Sequence, residues 1–390
     1  MAKLIDITGK ALSGEWGTDD EKGIGIPVLR TTNFTNEGVV DYTDVVTRII
    51  TKKNISEKYL KPGDIIIEKS GGSDKQPVGR VIYFNGPEKK YLFNNFTGLL
   101  RVKEPNKWFP KYVFYSLFGN YRRGGTLPFE NKTTGLHNLK TDDYVSRYEV
   151  KEAKYSKQIE ISEYLDKLYF IIKMREKELV ELDTLIKARF IEMFGDPMVN
   201  PKGWDKEVIS EHIDLLSGFP FKSEQYVDEG INICGGLIIM PQRIEWDNCV
   251  HWPSVDGYED FLLNEGDIVM ALDRPWITEG FKVARVDGGH LPALLIQRTA
   301  RIRATDINQD YLYYCFIGGG FDKHSNVTGS LVPHISAKDI RSFEIMLPPI
   351  ELQNEFADFV KQVDKSKVAV QKALDETQTL FDSLMQEYFG

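Results

Sequence analysis

The sequence predicts an α+β chain of two tandem globular domains, each followed by one long helix, so that the second half repeats the first with pseudo-twofold character. Three observations predict it. Gln158 to Gly195 aligns without a gap onto Gln353 to Gly390, an offset of 195 in a chain of 390 residues. The pairs Gln158/Gln353, Glu160/Glu355, Lys177/Lys372, Leu179/Leu374, Glu181/Glu376, Thr184/Thr379, Leu185/Leu380, Glu192/Glu387, Phe194/Phe389 and Gly195/Gly390 are identical. Near the front of each half, "LKPGDIII" (Leu60 to Ile67) matches "LNEGDIVM" (Leu263 to Met270), and "YVSRYEV" (Tyr144 to Val150) lies on "DIRSFEI" (Asp339 to Ile345). Such a long period marks a duplicated two-part module, not a solenoid of small repeats. Third, the local pattern changes twice from short β-branched runs to helical periodicity.

The first domain, residues 1–157, holds the strand-like runs "GIPVLRT", "GDIIIEKS", "VGRVIYF" and "TGLLRVK", with β-branched residues bounded by Gly, Asn or Pro. Residues 198–352 echo them with "GINICGG", "GDIVMAL", "FKVARV" and "QRTARIRA". "PKYVFYSLFGNY" and "QDYLYYCFIGG" are the expected amphipathic helix of each half. Strands with so few long helices between them suggest a small curved sheet with helices on one side.

Residues 158–197 form the first long helix. Its apolar positions step 4-3-4-3 through Ile161, Leu165, Leu168, Ile172, Leu179, Leu182, Ile186 and Met193, interrupted by Arg175 and Arg189. Residues 353–390 form the second, through Phe356, Val360, Val363, Val370, Leu374, Phe381, Leu384 and Tyr388, interrupted by Lys367 and Thr377. Heptads sustained over four repeats are a coiled-coil pattern. The polar interruptions fall at non-equivalent positions, which disfavours like-with-like pairing and favours helix one against helix two. Gly195 is a natural C′ residue, and Pro197 and Pro201 forbid continuation. A helix of roughly 38 residues is about 57 Å long. The plain alternative is a helical hairpin that only braces the domains.

Charge divides the halves. Residues 1–157 carry a net +7, 158–197 a net −3, 198–352 a net −10 and 353–390 a net −3, making −9 in all. The first domain suits a polyanion. The second could hold one only through locally clustered Arg and Lys, its acids turned away. Polar, Gly-rich loops recur at matching places: Glu68 to Arg80 and Asn120 to Asn138 in the first half, then Leu272 to Lys282, Leu295 to Arg303 and Asp322 to His334 in the second. Their residue types reach phosphates and base edges, and glycines let the backbone come close.

Catalytic signatures are missing. There is no G-x-x-x-x-G-K-[ST], no G-x-G-x-x-G after a strand and no H-E-x-x-H. "VNPKGW" has Lys202 where an amino-methyltransferase motif needs a second proline, and it lies in a linker. His137, His212, His251, His290, His324 and His334 are scattered singly, and Cys234, Cys249 and Cys315 form no C-x-x-C pair, so neither metal nor disulfide is expected. No leader or 18-residue apolar run occurs, which reads as a cytoplasmic protein with no membrane contact.

With "LPPIELQNEF", "KARFIEMFGDPMVNPKGW", the paired "L-x-x-GD-I" strands, "QR" at Gln297–Arg298 and "GSLVPHISAKDI" (Gly329 to Ile340) in this order, the chain closely resembles the DNA specificity subunits of Type I restriction–modification systems over nearly its whole length. The resemblance implies that each globular half is a target recognition domain for one half of a bipartite site in double-stranded DNA. It implies that the helices pack as an antiparallel coiled coil that sets the distance between half-sites. It implies no enzymatic activity and no cofactor of its own. Two modification subunits would bring S-adenosylmethionine, and restriction subunits would bring ATP and Mg.

On this resemblance the expected DNA-contacting residues are Lys69, Ser70, Ser73, Lys75, Gln76, Arg80, Arg122, Arg123, Asn131 and Lys132 in the first domain. In the second they are Arg274, Lys282, Arg298, His324, Asn326 and Ser330. His334 is expected to pack. The acidic second domain is expected to bind weakly alone and to depend on the basic first domain and the modification subunits. The rival is a duplicated coiled-coil adaptor that binds proteins and never touches bases. Net acidity and the lack of a helix-turn-helix favour it.

Overall fold

The computed structural model describes residues 1–133, 136–318, 320–325 and 333–390. The chain divides into two compact units, one of Met1–Glu176 with Lys372–Gly390, the other of Lys177–Gln371. Among the described residues no helix is long and apolar enough to cross a membrane.

In the first unit a four-stranded antiparallel sheet runs in the order Leu12–Ser13, Thr97–Leu100, Asp64–Glu68, Val81–Phe84. The "GD-I" string makes its central strand. Gly63, at φ +95°, supplies the turn that a side chain would strain. Asp64 accepts the Lys61 N–H at 2.9 Å and takes the Arg101 fork at 2.7 and 2.6 Å, so its buried charge is paired. Alternation along the strand then loads both faces. Ile65 and Ile67 pack with Val81, Leu100 and the helix Pro110–Arg122; Ile66 packs with Ile82, Phe84 and Leu99 on the other face. The expectation of one sheet with helices on one side is therefore corrected. A second sheet covers the far face, its strand Ile26–Leu29 antiparallel to Val46–Ile49 and parallel to Leu92–Phe93.

The second unit is built the same way. Its four-stranded sheet runs Ile213–Ser217, Thr299–Ala304, Ile268–Ala271, Val283–Arg285. Gly266 stands at φ +83°, and Asp267 accepts the Asn264 N–H at 2.7 Å and the Arg303 fork at 2.5 and 2.7 Å. Ile231–Cys234 is antiparallel to Val250–Trp252 and parallel to Ala293–Leu295.

The helices Pro110–Arg122 and Gln309–Ile317 are not amphipathic as expected. Tyr112 to Gly119 and Tyr311 to Phe316 are buried without a break, because each helix lies between its sheet and the long helices. A shared hydrogen-bond set seats them. Gln158 accepts the Phe109 N–H at 2.8 Å and Gln353 accepts the Asn308 N–H at 2.9 Å. Tyr112 and Tyr311 donate to the carbonyls of Lys151 and Met346 at 3.0 and 2.8 Å.

The long helices span Tyr155–Phe194 and Ile350–Phe389, 40 residues each, and so begin three residues earlier than expected. Gly195 takes φ +85° just beyond the first. In unit one Ile161, Leu165, Leu168 and Ile172 share a core with Phe381, Met385 and Phe389, flanked by Leu374 and Leu384. In unit two Ile186, Phe190 and Met193 share one with Phe356, Val360 and Val363, flanked by Leu182. Leu179 and Val370 are half-buried. The four polar interruptions find partners across the pair. Arg175 bonds Thr377 Oγ1 and the Ala373 carbonyl, Lys367 meets Asp183 at 2.6 Å, and Arg189 meets Glu355 at 3.1 Å.

Candidate nucleic-acid interface

The loop Glu68 to Arg80 of unit one is a tight hairpin. Ser70–Gly72 joins a sheet with Leu136–Leu139 and Glu130–Thr133, so part of the segment expected to be a loop is a β-hairpin. Asn131 pairs in register with Asn138, which in turn pairs with Ser70. The Ser73 and Gln76 backbones close the turn at 2.7 and 3.1 Å, leaving Ser73 and Lys75 exposed at its tip. Gln76 donates to Asn36 at 2.6 Å, and Lys69 donates to Ser13 at 3.1 Å. Burial holds the Lys69 ammonium below the usual lysine range, with Asp142 opposing the shift. The structure thus brings Lys69, Ser70, Ser73, Lys75, Gln76 and Asn131 to one edge. Lys132 lies in the same hairpin, its side chain outside the described residues.

Three expected readers are committed elsewhere. Arg80 forks onto buried Glu68 at 3.0 and 2.9 Å and donates to the carbonyls of Phe34 and Thr31, both at 3.1 Å. Arg122 pairs with Asp382 at 2.7 Å, and Arg123 donates to the Phe389 carbonyl. All three tie parts of the unit together, and Arg80, with its Nε, Nη1 and Nη2 all engaged, has no fork left for a base, whereas Arg122 and Arg123 each use one arm.

In unit two, Arg274, Lys282 and Arg298 line one recess of about 620 Å³, with Gln297, Asp273 and the Gly235–Gly236–Leu237 turn. Arg298 is 74% exposed on its side chain and meets Asp273 Oδ2 at 2.9 Å. His334 meets Asp273 Oδ1 at 2.6 Å, so it belongs to this cluster and does not pack inward as expected. Lys282 is 6% exposed and donates to the Gly236 carbonyl. Burial lowers its ammonium below the usual lysine range. Arg274 and Arg298 stand at φ +47° and +63°, a backbone region uncommon outside glycine. His324 is corrected to a structural residue. Its Nε2 lies 3.0 Å from Ser342 Oγ and 3.1 Å from the Asp339 carbonyl, over the Phe343 ring. Asn326 and Ser330 lie outside the described residues.

The recess explains how an acidic unit keeps a cationic face. Arg285, Arg301 and Arg303 are neutralised by Asp310 and Asp364, Asp214 and Asp267, and among the described residues Asp273 is the one acid lining the recess. Asp273 and Leu237 were missed in sequence. The only signal was the Gly pair after "GINIC", which places an 88%-exposed leucine at the rim. Among the described residues no group of His, Cys, Asp and Glu could hold a metal.

The comparisons with known proteins agree with this architecture. The family model described as Type I restriction modification DNA specificity domain matches residues 1–184 and 242–377. The EcoAI specificity subunit of Escherichia coli is 30% identical over 206 residues, 50% of this chain; the match spans 34% of that protein, about a third of its length. The MjaVIII specificity subunit of Methanocaldococcus jannaschii is 24% identical over 324 residues, 75% of either chain. The fold matches the crystal structure of the Type I restriction–modification S subunit from M. genitalium, with a TM-score of 0.57 at 14% identity, covering 100% of this chain and 95% of that one. A chain from a study of complex assembly and conformational transition in the type I system matches with the same TM-score and identity, covering 96% of that chain. The chain belongs to the family of Type I restriction–modification DNA specificity domains.

Proposed function

We propose that this chain is the non-catalytic, DNA-reading subunit of a Type I restriction–modification complex. Each unit reads one half of a bipartite site, and the long helices pair as an antiparallel coiled coil that sets the gap and docks two modification subunits. Those subunits would bind S-adenosylmethionine and methylate adenine; restriction subunits joined through them would use ATP and Mg. One observation carries the reading. The same two sheets, the same Asp–Arg fork and the same Gln clamp recur in each unit, and one reading module present twice is what a two-part site requires. The contacts from residues 161–175 to 373–389 and from 183–193 to 355–367 support opposite helix directions.

The test is co-expression with the modification subunit in a methylation-free host, mapping N6-methyladenine by sequencing. The expected result is a two-part motif with a fixed gap. Exchanging residues 1–157 for those of a relative, together with its counterpart of 372–390, should then change one half of the motif and leave the other. A change of partner without a change of motif would favour the adaptor.

A further inference from the structure

The recess of unit two is chemically one-sided. Lys282 has three N–H donors, and its one partner among the described residues is the Gly236 carbonyl. Among the described residues no carboxylate pairs with it, although a buried ammonium is costly unless its remaining protons are satisfied. Arg298 offers a guanidinium fork of which one arm is held by Asp273. Arg274 lines the same recess and makes no side-chain bond among the described residues. Asp273, the one carboxylate among the described residues of the lining, is already engaged on both oxygens, by Arg298 and by His334, and the other side-chain acceptors there, Asn248, Gln297 and Tyr226, are neutral. The walls, Ile233, Ile238 and Ile296, are apolar and strengthen any hydrogen bond made inside.

Adenine and cytosine each present an amino donor in the major groove, which the three cations of the recess do not accept and which only the neutral Asn248, Gln297 and Tyr226 side chains of the lining can take. Thymine presents one acceptor beside a methyl group. Guanine alone presents two acceptors, O6 and N7, side by side. Two left-handed arginines on neighbouring turns are a backbone arrangement typical of binding sites. We propose that this recess reads a guanine: Arg298, oriented by Asp273, takes O6 and N7, and Lys282 supplies the further donor that excludes bases carrying an amino group at that edge. The inference rests on the proposed DNA-reading function and names the base read by its second unit.

The test uses the full chain in complex with its modification subunit, with methylation motifs mapped for wild type, Arg298→Ala and Lys282→Met. Arg298 is largely exposed, so its truncation leaves the fold intact. The expected outcome is a wild-type guanine that R298A and K282M both relax, by roughly five- to a hundred-fold for a bidentate contact, while the other half-site keeps its stringency. A second readout is independent of activity. Cys249 lines the recess while Cys234 and Cys315 are buried, so a maleimide should label Cys249, and DNA bearing the motif should slow labelling more than DNA with that guanine replaced. If R298A keeps every position as strict as wild type, or relaxes one that is not guanine, the assignment fails. Absence of any two-part motif in wild type would instead sink the function on which it rests.

Discussion

Replacing Arg80 with alanine is expected to destabilise the first unit by about 3–5 kcal/mol, the usual cost of stranding a buried charge. Glu68 is fully buried, and both of its oxygens are taken by the Arg80 fork. The same guanidinium also ties the Thr31 and Phe34 carbonyls, so one side chain joins the central strand to the segment after Ile26–Leu29. Removing it leaves a carboxylate that water cannot reach and two carbonyls without their donor. Denaturant unfolding of the variant, read as a shift in midpoint at constant slope, measures the loss. Removing both charges, as Glu68→Gln with Arg80→Met, should recover much of it, since polar burial is costly chiefly when unpaired. A loss below about 1 kcal/mol for R80A would mean that the pair is solvated and that Arg80 is free to act at the surface.

Arg80 also shows where sequence reasoning stops. Its loop, its charge and its glycine neighbour all match a DNA-contacting residue; what decides its role is a glutamate twelve positions away whose burial depends on three-dimensional packing. The partners of Arg122 and Arg123 were hidden for the same reason, lying some 260 residues downstream. Ile161, Leu165, Leu168, Ile172, Phe356, Val360 and Phe381 were legible as buried because heptad spacing is a local property of the helix, whereas Phe190, Met385 and Phe389, which share their cores, lay outside the pattern; the strand "GDIII" was legible because its turn, its cap and its apolar run are contiguous. The strands Val250–Trp252 and Ala293–Leu295 carry no such pattern, and pairing alone defines them. Asp273 was invisible because its value lies in what it holds, Arg298 and His334, from two other loops.

On the proposed reading, inserting one heptad after Glu176 and another after Gln371 is expected to lengthen the recognised gap by about three base pairs. Seven residues add about 10.5 Å of helix, and base pairs stack at about 3.4 Å. A heptad returns the apolar seam to nearly the same face, with a drift of roughly 20°, so Leu179 and Val370 keep their half-buried setting. Methylation mapping reads the outcome directly. A motif with its original gap would remove the helices as the ruler, and a motif lost only when a single helix is lengthened would show that the pair acts together.

The division of the chain has a consequence for its biosynthesis. The core of the first unit includes Phe381, Met385 and Phe389, which pack on residues such as Tyr112 and Gly119. The second unit is one continuous stretch, Lys177–Gln371. The domain whose synthesis begins first is therefore the last to be completed. At translation rates of about 5–20 residues per second, roughly ten to forty seconds pass between the emergence of residue 176 and that of residues 372–390. During that interval Tyr112, Tyr115 and Phe118 lack their cover, while the whole of the second unit is being made. The nascent first half is the stage at which a chaperone, or a truncating mutation, would matter most.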